Sequence, residues 1–110
     1  MIERDFVSPD GALRFLVRVP DGDITLGFDG ALSHTHGDIL ASLSGGIPDD
    51  ATARYVNDLL SSRLIIATST VAGKIRDIWI TDSPAETLRC CPSDETITFR
   101  LWDGTKVVVV

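Results

Sequence analysis

The chain lacks any apolar run near the roughly 20 residues that a membrane-spanning helix needs. Its longest apolar runs are Leu64–Ala67 with their neighbours and the final Val107–Val110. It is short of basic residues, with 10 Lys and Arg against 16 Asp and Glu and a formal charge of −6. That balance speaks against nucleic acid and anionic membrane surfaces, which need concentrated positive charge. It suits a basic protein partner, because complementary fields speed association. Cysteine is scarce as well, and Cys90 and Cys91 are adjacent. Neighbouring cysteines bridge each other only with severe backbone strain, so two reduced thiols are expected. The first residues carry charges of both signs and lead straight into patterned sequence, unlike a secretory signal, so a cytoplasmic protein is expected.

At 110 residues the chain is expected to be one domain, residues 1–110, with a core that needs no staple. Pro9-Asp10-Gly11 and Pro20-Asp21-Gly22 are turn sequences. Between them Leu13, Phe15, Val17 and Val19 alternate with other residues, and Ile24, Leu26 and Phe28 resume the alternation. With Glu3–Val7 ahead of them, these segments predict a three-stranded antiparallel meander. Residues 30–47 are punctuated by glycine, with a short helical turn expected over Asp38–Leu43. Pro48-Asp49-Asp50 then opens a helix whose apolar stripe is Thr52, Tyr55, Val56, Leu59 and Leu60. Arg63–Val71 reads as a central strand, and Ala72-Gly73-Lys74 as a turn into Ile75–Thr81. A short strand is expected at Leu88–Cys91, then one at Thr96–Trp102 with Ile97, Phe99 and Leu101 inward. Asp103-Gly104 signals a hairpin from which Lys106–Val110 pairs back. The predicted class is α+β, an antiparallel sheet of about six to eight strands with one principal helix packed on it.

The chemistry concentrates in one stretch. His34, His36 and Asp38 are spaced i, i+2, i+4, which on an extended segment puts all three on one side. Two imidazoles and a carboxylate are a possible divalent-metal set, with Asp29 as a further oxygen. The same residues are candidates for partner contact, together with Trp102, which shares strand parity with Arg100. An aromatic there is either a binding anchor or a ring packed under a loop or the helix. No serine has a nucleophile-elbow context, and Gly45-Gly46 is not followed by a P-loop lysine.

Ser33-His34-Thr35-His36-Gly37-Asp38 resembles the first metal motif of metallo-β-lactamase-fold hydrolases over six residues. That motif continues with a histidine where this chain has Ile39, and no later histidine is available.

A second resemblance covers most of the chain. Ile24–Gly30, then His34-Thr35-His36, a helix over Tyr55–Leu60, the Arg63–Ile66 strand, a Gly73 hairpin and Trp102-Asp103-Gly104-Thr105 follow in order. This order resembles small immunity-type proteins encoded beside bacterial polymorphic or contact-dependent toxins. The resemblance implies a non-enzymatic inhibitor that caps a cognate toxin; no cofactor is expected beyond the divalent metal of the alternative reading. The other readings are a metal-binding or metal-dependent hydrolase-like domain using His34, His36 and Asp38, and a structural homodimer joined through edge strands such as Val107–Val110.

Overall fold

The computed structural model describes residues 2–109. The architecture is α+β. Among the described residues eight strands divide into two antiparallel sheets of four, with orders β1-β2-β3-β4 and β6-β5-β7-β8.

The first sheet is the expected meander with one strand added. Its strands are β1 (Arg4–Val7), β2 (Arg14–Arg18) and β3 (Thr25–Phe28), followed by β4 (His34–His36). Phe15, Val17, Leu26 and Phe28 are buried on one face. Arg14, Leu16, Arg18, Thr25 and Gly27 alternate with them and form the outer face.

Two helices follow. α1 (Gly37–Ser44) begins directly at the end of β4, and α2 (Pro48–Leu60) begins after the Gly45-Gly46 break. Pro48 at the first helical position and Asp49 and Asp50 in the first turn are what a helix start favours. The Arg54 guanidinium donates to Ser44 Oγ and to the Gly45 carbonyl, at 3.2 and 2.8 Å, and so ties the end of α1 to α2. α2 buries Ala51, Thr52 and Leu59.

In the second sheet β5 (Ile65–Val71) is central, between β6 (Lys74–Thr81) and β7 (Glu95–Arg100). Its consecutive residues Ile66 and Ala67 are both fully buried, so both faces of the strand are covered. One core joins the sheets: Phe15, Leu26 and Phe28 pack with Leu59 of α2, with Ile66 and Ile78, and with Trp102.

Two expectations are corrected. Leu88–Cys91 is not a strand, because α3 (Pro84–Arg89) occupies that part of the chain and Cys90 caps it. Pro84 opens this helix where it was expected only to interrupt, since a first-turn proline gives up no helical hydrogen bond. Trp102 is not on a strand: β7 stops at Arg100, and the indole turns into the core at 4% exposure. β8 is short, Lys106–Val107, and pairs with Arg100 and Phe99. Val108 is exposed, and Val110 of the expected strand lies outside the described residues.

Candidate functional site

β4 pairs with β3 in a register that sets Thr25 opposite His36 and Gly27 opposite His34. Both histidines therefore stand on the outer face, away from Leu26 and Phe28. Gly27 leaves the room: a Cβ there would sit 3.2 Å from the Cβ of His34. The two imidazole rings stand edge to face, with centroids 5.0 Å apart and planes at 84°.

Their δ nitrogens are both committed. His34 Nδ1 lies 3.2 Å from the Leu32 carbonyl, which can only accept, so this nitrogen carries the hydrogen. His36 Nδ1 lies 3.1 Å from Asp23 Oδ2 and 3.3 Å from Thr25 Oγ1. A carboxylate also only accepts, so His36 donates to Asp23 from Nδ1.

Asp38 does not join the pair. The backbone turns helical at Gly37, which ends the two-residue alternation that would have brought the carboxylate to the same side. Asp38 Oδ1 instead accepts from the Ile39 amide at 2.9 Å. Among the described residues no three His, Cys, Asp or Glu side chains gather to hold a metal ion, Asp29 included. Trp102, buried among Leu59 and Ile66, offers no surface to a partner.

The loop before β4 is fixed by a residue that the local sequence pattern did not single out. Asp77 of β6 accepts from the amides of Leu32 and Ser33 at 2.9 and 3.0 Å, and from Ser33 Oγ at 2.5 Å. It also takes the Ile78 amide at 2.9 Å. Burial pushes its carboxyl up, but the donors from Ser33, Ile78 and Leu32 outweigh that and hold it below the usual carboxylate range. The only local signal was a charged pair, Arg76-Asp77, inside the otherwise apolar stretch Ile75–Ile80.

Beside the histidines, α1 presents Ile39 and Leu43 to solvent at 46% and 82% exposure, and Ile47 follows at 59%. Positions four apart lie on one helix face, so Ile39 and Leu43 form a continuous apolar ridge. Asp38 is exposed next to it.

The thiols take no part in these contacts. Cys90 is exposed, and half-buried Cys91 points its Sγ at the Pro92 and Glu95 carbonyls, at 3.4 and 3.2 Å. Burial, then the charges of Glu95 and Asp94, push the Cys91 thiol up, which leaves it a poor nucleophile. Among the described residues no helix is long and apolar enough to cross a membrane. No family model, curated protein or solved structure matches the chain.

Proposed function

We propose that this protein is a non-catalytic binding module that docks a basic protein through the α1 face, consistent with a toxin-neutralising role. The observation that carries the reading is the Ile39–Leu43 ridge, an exposed apolar strip on a helix held rigidly against α2. Large apolar side chains on an anchored helix are what a partner's groove takes up as anchors.

Charge selects the partner. From Val19 to Ala53 the chain holds six aspartates, at positions 21, 23, 29, 38, 49 and 50, and no lysine or arginine. α1 lies within this stretch. A basic surface is therefore attracted to it and an acidic one repelled.

The test is calorimetric titration of the chain with any basic protein that its neighbouring genes encode. Micromolar or tighter binding is expected. Leu43→Asp and Ile39→Asp should each weaken it by about tenfold or more, as loss of an anchor does. Added salt should slow association, since steering is screened. Unchanged affinity in both variants, or no binding at micromolar concentration, would overturn the reading.

A further inference from the structure

Independently of the docking face, we propose that His34 and His36 form a two-imidazole clip for a divalent transition-metal ion such as zinc, bound through the two ε nitrogens. Three observations converge on it.

The first is the tautomer. Both Nδ1 atoms are engaged as donors, His34 to a backbone carbonyl and His36 to the Asp23 carboxylate. Each neutral ring then carries its lone pair at Nε2. Neither Nε2 has a partner among the described residues. Metal-bound histidines are usually held this way, with the far N–H given to a carboxylate or carbonyl that fixes the ring and raises its basicity.

The second is spacing. Zn–N bonds of about 2.0–2.1 Å at a tetrahedral angle place two coordinated imidazole centroids ~5 Å apart. The observed separation is 5.0 Å. The spacing of the rings is thus the one that a shared ion requires.

The third is access. His34 is exposed, and Gly27 across the ladder has no side chain to fill the space beside it. Arg18, opposite Thr25 on this outer face, is occupied by Asp5 at 2.7 Å. Asp23 adds negative charge close to where the cation would sit. With only two protein ligands the remaining positions stay open to water or to an incoming ligand, the arrangement of an exchangeable site. Asp38 has no part in it.

The test uses the untagged full chain carrying Cys90→Ser and Cys91→Ser, so that thiols cannot compete. Zinc chloride is titrated by calorimetry, while isotope-edited spectra follow the four imidazole nitrogens. The expected result is one bound ion, with the Nε2 resonances of both histidines shifting together and both Nδ1 atoms remaining protonated. H34Q and H36Q should each weaken binding by about tenfold or more, and D23N by roughly 10–100-fold, the usual cost of losing such an orienting partner. The proposal is overturned if no Nε2 resonance shifts, if only one histidine responds, if an Nδ1 is the ligand, or if H34Q binds zinc as well as the parent. The spectra of the parent decide the matter even if a variant fails to fold.

Discussion

At the scale of single residues, two polar groups make opposite contributions. Thr52 is 1% exposed, and its Oγ1 has no hydrogen-bond partner. It sits where α2 meets the start of α1, so close that a Cβ on Gly37 would stand 3.0 Å from it. A buried hydroxyl without a partner has lost its water for nothing. Thr52→Val keeps the shape and removes the oxygen, so it should stabilise the fold by about 1 kcal/mol in chemical denaturation. Asp77 is the reverse case, a carboxylate that satisfies three amides and a hydroxyl. Asp77→Ala orphans those donors and should cost about 1–3 kcal/mol. Amide exchange at Leu32 and Ser33 should rise with it, because the loop leading to His34 loses its anchor. Slow exchange there in the variant would show that something else holds the loop.

At the scale of elements, the β5–β6 hairpin carries local strain. Ala72 and Gly73 form its two-residue turn, with φ of 52° and 77°. Such primed turns match the twist of the strands but require positive φ at both positions. Gly73 adopts it freely, whereas the Cβ of Ala72 costs roughly 1–2 kcal/mol there. Asn tolerates this conformation far better, so Ala72→Asn should raise the midpoint of thermal unfolding by a few degrees for about 1 kcal/mol gained. A lower midpoint would mean the turn is not the type its angles describe. The same elements show what a sequence discloses. The meander was legible because Leu13–Val19 and Ile24–Phe28 alternate between two Pro-Asp-Gly turns. β4 was not, since three residues with polar groups on both sides give no alternation to read. α3 stayed hidden because Pro84 looks the same whether it breaks a strand or opens a helix. Trp102 was placed by parity, and parity ends where β7 ends, at Arg100. The shared side of His34 and His36 follows from spacing two, whereas the exit of Asp38 depends on where a helix begins. Asp77 could not be paired with Leu32 from sequence, because they are 45 residues apart.

At the scale of the whole molecule, one ion pair ties the first sheet to the second across 90 residues of chain. Arg100 of β7 reaches the turn between β1 and β2 and grips Asp10 with two nitrogens, at 2.7 and 3.2 Å. It also donates to the carbonyls of Leu101 and Trp102, at 3.0 and 3.1 Å, and so braces the turn that carries the indole into the core. Asp10 in turn accepts from Ser8 Oγ and the Ala12 amide, at 2.7 and 3.2 Å. The Arg100 guanidinium first, then Ser8 and Ala12, hold the Asp10 carboxyl far below its ordinary value of 3.8. The sign of the effect follows. The unfolded chain takes up this proton at a higher pH than the folded one does, so the pair's contribution is complete above the ordinary value and is lost as pH falls through the folded one. Asp10 is exposed, so solvent and salt screen the pair. Asp10→Asn should therefore lower the thermal midpoint at neutral pH and flatten its decline toward acid, with the two proteins converging at the lowest pH. Some slope should persist in the variant, because Asp5, Asp77 and Asp103 are also held below their ordinary values. Parallel curves for the two proteins would show that Asp10 titrates alike folded and unfolded, and that this pair does not help to hold the sheets together.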